Sequence, residues 1–211
     1  MLASRPTTTR MAALLAAAFL TTGLAGCGGD SDSEPAAATS TAPNGDVYDA
    51  ADVTFATDMI PHHAQAVQMV EMTRGRDLDP EVALLAEEIR STQVPEVEQM
   101  SDWLTSWGVD VPATAIDHAN AEADGHAMHG MEGMDDMPGM MSADELDELE
   151  AAPADEFQHR WLEMMIEHHR GAVDMARTEQ ADGRFSAAVR LAKAVEGSQQ
   201  DQIDRMEKML G

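Results

Sequence analysis

The segment Met59-Ile-Pro-His-His-Ala-Gln-Ala-Val-Gln-Met69 returns 106 residues later as Met165-Ile-Glu-His-His-Arg-Gly-Ala-Val-Asp-Met175, with seven of eleven positions identical. The offset continues without a gap to Leu104 and Leu210, and Leu85, Ala86, Gln93 and Met100 match Leu191, Ala192, Gln199 and Met206. A chain built this way contains one unit twice. Within the first unit Phe55, Met59, His62/His63, Ala66, Met69/Val70 and Thr73 recur at three- and four-residue steps, which places them on one helical face. Gly75 ends that helix, and Asp79-Pro80 opens another whose apolar face runs through Val82, Leu85, Ile89, Val97, Met100 and Leu104 to Gly108. Each unit is therefore a helical hairpin, and two hairpins pack as an all-α four-helix bundle. Pro61 and Pro95 fall inside the patterns and predict bends rather than breaks, because the periodicity resumes in phase beyond both.

This reading divides the chain into hairpin one over 48–107, a Met/His-rich loop over 108–141, a short helix over 142–151 and hairpin two over 153–210. Ser142-Ala-Asp-Glu145 has the spacing of a capping box, and Asp182-Gly183 marks the turn of the second hairpin. Ahead of the bundle domain (48–211), residues 27–47 are Ser, Asp, Ala, Pro and Gly with little to bury, and read as a flexible tether. Residues 1–26 read as a signal peptide. Arg5 and Arg10 precede an apolar run from Met11 to Thr22, too short for a span of about 20 apolar residues. Leu24-Ala-Gly-Cys27 then resembles the bacterial lipobox, whose cysteine is lipidated and begins the mature protein. The expected location is extracytoplasmic, lipid-anchored to the cell membrane through Cys27.

Cys27 is the only cysteine, so neither a disulfide nor a thiolate metal site is available to the mature chain. Removal of residues 1–26 takes two of the 13 basic residues and no acidic one, leaving 11 against 39 and a formal charge of −28. Such acidity argues against nucleic acid and anionic lipid surfaces as partners. It concentrates cations without selecting among them.

Two features point to metal. His62 and His63 flank the line through Met59, Ala66 and Val70 on their helix, and His168 and His169 do the same on the third long helix. A pseudo-two-fold axis between the hairpins would bring the dyads together in the core, with Met59, Met69, Met165 and Met175 within a turn or two. Grouped imidazoles in an apolar interior are costly without partners. A metal ion satisfies several at once; hydrogen bonds to carbonyls, Gln65 or Asp58 are the structural alternative. The second feature is the loop, with His118, His126, Met128, His129, Met131, Met134, Met137, Met140 and Met141. Its Gly and Pro content disfavours a helix, and thioether with imidazole suits Cu(I) and other soft or borderline ions. A symmetric di-iron site finds little support, because Glu156-Phe-Gln-His159 has the required spacing only once and its counterpart at 50–53 lacks such residues.

The paired Met-Ile-x-His-His-x-x-Ala-Val-x-Met segments, with Pro138-Gly-Met-Met141 before the second half, resemble the domain of unknown function 305 family from about Asp49 to Leu210. The resemblance implies a ferritin-like four-helix bundle, and copper binding and copper tolerance outside the cytoplasm. It carries that expectation onto His62, His63, Met69, His168, His169 and Met175.

The leading expectation is a lipoprotein that sequesters or transfers Cu(I) rather than an enzyme. A metal-dependent oxidase or peroxidase of ferritin-like fold and a non-metal interaction module with a polar His core are the alternatives. Metal ions are the expected partners; a second copy of the chain and a copper-exporting or copper-accepting protein are compatible with the same reading.

Overall fold

The structure, a computed structural model, describes residues 38–114 and 137–211. Four long helices and one short one make up almost all of these: α1 (Ala50–Glu71), α2 (Pro80–Trp107), α3 (Ala143–Glu150), α4 (Ala154–Asp182) and α5 (Ser186–Leu210). α1 with α2, and α4 with α5, form the two hairpins, and these meet mainly along α1 and α4. The repeated helices that carry the histidines therefore lie side by side. Pro61 and Pro95 each sit inside a helix that runs on past them.

Local sequence sets the helix ends. Asp49 caps α1 by accepting from the backbone N–H of Ala51 and Asp52, while Asp52 returns a bond from the Asp49 N–H at 2.7 Å. Ser142 and Glu145 form the same reciprocal box at α3. Residues 38–47, read from the sequence as the end of a tether, carry regular structure together with Tyr48. Ser40–Thr41 (β1) pairs antiparallel with Val47–Tyr48 (β2) across a turn closed by Asn44 and Asp46. Ala42 is buried in the core, and the Tyr48 ring stacks on Trp107 at 4.4 Å. These contacts supply the apolar burial that the composition of the segment conceals.

The core is not continuous. One apolar cluster holds Met69, Leu85, Ile89, Phe157, Trp161, Met165, Ile203 and Met206. The other holds Phe55, Met59, Ile60, Met100, Leu104, Ala172, Ala176 and Val195. Between them in each of the four long helices comes a polar step: His62 and His63 on α1, Gln93 and Glu96 on α2, His168 and His169 on α4, Gln199 and Gln202 on α5. The repeat thus builds one polar layer across the middle of the bundle, sealed by apolar side chains on both sides.

A strap crosses this layer. Residues 137–141, the end of the Met/His loop, run over α1 and α4 just before α3. Gln65 holds them through two 2.8 Å bonds, its amide donating to the Met141 carbonyl and accepting from the Met141 N–H. On α4, a Cβ at Gly171 would sit 1.9 Å from the Pro138 carbonyl oxygen, so this seat exists only for glycine. Gln65 and Gly171 occupy equivalent positions in the repeat and form one of the four mismatches of the eleven-residue segment. The duplication is broken where the strap docks.

Candidate metal centre

The four histidine side chains are fully buried. His62 and His168 lie with ring centroids 3.8 Å apart and planes tilted by 38°, and His169 follows at 6.2 Å from His168. Three rings have one partner each. His62 Nε2 contacts the Pro138 carbonyl at 3.2 Å, His63 Nε2 the Glu96 carboxylate at 2.8 Å, and His169 Nε2 the Gln202 Oε1 at 2.8 Å. The Gln202 amide is oriented by its own NH2, which reaches Glu88 at 3.3 Å.

All three partner atoms are acceptors, so each ring must donate through Nε2. In the neutral ring the proton then resides on Nε2, and Nδ1 carries the lone pair. None of the Nδ1 atoms of His62, His63 and His169 makes a hydrogen bond, and His168 makes none through either nitrogen. The carboxamides of Gln93 and Gln199, related by the repeat, are likewise buried with neither atom partnered. Fixing one imidazole nitrogen by an outer acceptor and leaving the other bare is how proteins prepare a histidine for a metal.

Burial disfavours the charged form of His62, His168 and His169. Desolvation, then the neighbouring His63, pushes His62 down to about 3 against the pull of the Pro138 carbonyl. Desolvation lowers His169 to about 4, opposed by the Gln202 contact. His168 falls well below the ordinary imidazole range, through desolvation and then through His62 and His169. Neutral imidazole is the ligand form.

Among the described residues, no three His, Cys, Asp or Glu side chains yet converge on one point. The tilted pair His62/His168 would have to reorient its rings to share an ion. The donor set, bare imidazole nitrogens flanked by thioethers, fits a soft or borderline ion.

The methionines are sorted by the packing. Met59 and Met165 precede the dyads by one helical turn on the same face and are fully buried beside the layer. Met69 belongs to the apolar cluster around Trp161, whose indole donates to the Met69 carbonyl at 2.9 Å. Met175 lines a cleft at the far end of α1 with Phe55, Asp58 and Glu179. Met69 and Met175 each lie about two turns from the dyad along their helix, at the outer limit of the spacing expected from the sequence. Met141, expected in a solvated ligand tract, is buried in the core, where the Gln65 bonds draw it in. Met137 and Met140 are half-buried on the strap. His118, His126, Met128, His129, Met131, Met134 and Cys27 lie outside the described residues. His159 is exposed on α4 and pairs with Glu163 at 3.3 Å, so the single Glu-x-x-His spacing faces solvent.

Sequence reasoning missed Glu96, Gln202 and the Pro138 carbonyl as histidine partners. The first two carried a signal, because each follows its histidine by the same 33 residues in both halves.

Comparison with known proteins agrees with this architecture. A DUF305 protein of Streptomyces coelicolor described as secreted is 32% identical with a TM-score of 0.63, over 76% of this chain and 91% of that one. A DUF305 fragment from Deinococcus radiodurans is 29% identical with a TM-score of 0.62, over 77% and 96%. CopM in its Cu(II)-bound form is 29% identical with a TM-score of 0.59, over 75% and 95%, and Cu(I)-bound, Ag-bound and apo forms of CopM are similar as well. No curated protein matches the chain. The profile described as domain of unknown function (DUF305) covers residues 52–210, and the chain belongs to that family.

Proposed function

We propose that this chain is an extracytoplasmic copper-binding protein that holds Cu(I) and sequesters it or passes it on. The observation that carries this reading is the set of buried imidazole nitrogens without a protein hydrogen-bond partner. Burying polar atoms without partners costs free energy, and a ligand recovers that cost where a purely structural cluster would not. The chemistry of the donors favours copper, since imidazole serves either oxidation state and thioether favours Cu(I). Similarity to CopM, solved with Cu(I), Cu(II) and Ag, supports the same metal class.

In this reading His62, His63, His168 and His169 hold the ion through their free nitrogens, with Met59 and Met165 as the nearest thioethers. The Met/His tract that ends in the strap is a second, adaptable copper site. Its C-terminal end is pinned to the layer by the bond between Pro138 and His62.

The decisive experiment replaces His62, His63, His168 and His169 by Gln in the otherwise intact chain. Titration with Cu(I) and with Ag(I) should then show a lower stoichiometry by at least one tightly held ion, while the loop sites remain. An unchanged ion count would remove the layer from the reading. Turnover of an added reductant or of peroxide by the copper-loaded wild type would instead favour an oxidase.

We further propose that Cys27 carries a lipid that anchors the protein at the outer face of the cell membrane. None of the described helices is long and apolar enough to cross a membrane. Cys27→Ser should move the protein from the membrane fraction to the soluble fraction. Retention of the variant on membranes would refute the anchor.

A further inference from the structure

The two halves of the polar layer repeat in geometry and differ in charge. His63 meets Glu96 and His169 meets Gln202 at the same 2.8 Å, through the same ring nitrogen, at positions related by the 106-residue offset. Glu96 brings a carboxylate whose side chain is only 13% exposed. Among the described residues it pairs with no lysine or arginine; His63 is the only group it meets. Gln202 is neutral, and the carboxylate behind it, Glu88, is already matched by Arg205 at 2.8 Å. The layer therefore contains one carboxylate that no fixed cation offsets.

We propose that Glu96 is a specificity-determining residue of the histidine layer, setting its charge to suit a monovalent soft ion. This rests on the reading that the layer binds metal. An imidazole that ligates a metal does so through a lone pair and adds no charge, so beside the one carboxylate a monovalent ion leaves the loaded layer neutral. A divalent ion leaves a positive charge uncompensated between two apolar clusters, where such a charge is poorly tolerated. Glu96 acts through His63, whose Nε2–H it accepts and whose basicity at Nδ1 it raises. It is a positioning and charge-setting residue, not a ligand. Gln202 performs the orienting half of this role for His169 and omits the charge.

The test compares wild type, Glu96→Gln, Gln202→Glu and the double exchange as intact chains, with the four-histidine Gln variant as the baseline for ions bound elsewhere. Competition titrations with Ag(I) and with Cu(II) give the affinity ratio of the layer. Glu96→Gln should weaken Ag(I) by about 10–100-fold, the range for loss of an outer-shell partner, and should weaken Cu(II) at least as much. Gln202→Glu should shift the ratio toward Cu(II) by tenfold or more. The double exchange keeps the total charge and should restore the preference for Ag(I). Nitrogen-15 spectra of the metal-free protein should show His63 with its proton on Nε2 in both wild type and Glu96→Gln, which separates charge from orientation. A proton on Nδ1 of His63 in the wild type would overturn the proposal. So would a silver-to-copper ratio unchanged by both single substitutions, provided the four-histidine variant does lose ions. If that baseline variant loses none, the metal reading of the layer itself fails. Should Glu96→Gln melt cooperatively at a much lower temperature, Gln202→Glu decides alone.

Discussion

His168→Leu is expected to raise the melting temperature of the metal-free protein while it weakens metal binding. His168 is fully buried, and neither ring nitrogen has a partner. An unsatisfied buried polar group costs roughly 1–3 kcal/mol, and leucine fills a similar space without that debt. For a domain of this size about 1 kcal/mol moves the midpoint by some 2–4 °C, so the gain is several degrees. The gain should also grow in acid. The folded-state values of His62, His168 and His169 are all depressed, to about 3 for His62 and about 4 for His169. Below pH 6.5 the unfolded chain takes up protons that the folded rings refuse, so the wild type loses stability as pH falls from 6.5 toward those depressed values. Each such ring contributes a slope of up to about 1.4 kcal/mol per pH unit. Leucine at 168 removes one of the three slopes. Thermal melts of both proteins without metal at pH 7 and pH 5 check this. A variant less stable than wild type at both values would mean that His168 is a structural element of the core, and the case for a ligand would weaken with it.

The same trade explains why the layer is tolerated. Two apolar clusters, one on each side, supply the stability that four buried imidazoles and two unpartnered carboxamides take away. Protein function is often placed on such locally unfavourable groups.

The helical periodicity and the repeat were enough to expect four helices and two facing dyads, because apolar spacing records which side of a helix is buried. Partner identity was harder to read. Glu96 and Gln202 look like ordinary surface residues on α2 and α5, since nothing in local spacing separates a polar side chain that faces solvent from one that faces a histidine. Only their equivalence under the duplication marks them. The strap was hidden for a different reason. Met141 follows directly on the other methionines of the loop, yet Gln65 pulls it into the core through backbone bonds that no side-chain pattern reveals. Its trace in the sequence is the mismatch of Gln65 with Gly171. Residues 38–48 fold through a Tyr48–Trp107 stack across 59 residues, which composition alone does not encode.

Glu179→Gln should stabilise the protein more strongly the higher the pH. Glu179 lies on α4, 1% exposed, and no donor reaches either of its carboxyl oxygens. The group that faces it is another carboxylate, Asp52, already occupied by the backbone N–H groups of Asp49, Arg184 and Phe185. Only a protonated Glu179 can turn this contact into a hydrogen bond by donating to Asp52. Desolvation, then Asp52 and the more distant Asp49 and Asp182, push its pKa up to about 9. The folded protein therefore keeps a proton that the unfolded chain releases above the ordinary glutamate value of 4.5. Stability falls as pH rises from 4.5 toward 9 and levels off beyond, with a slope of at most about 1.4 kcal/mol per pH unit. Glutamine presents the same donor to Asp52 and never ionises. The variant should melt close to wild type at pH 5 and well above it at pH 8.5, with the difference widening in between. Asp52 also ties the start of α1 to the turn between α4 and α5, so the wild type should loosen first at that turn in alkali, seen as faster amide exchange at Arg184 and Phe185. A melting difference that stays constant across this range would mean that Glu179 is ionised in the folded protein, its charge met by a group at the mouth of the Met175 cleft.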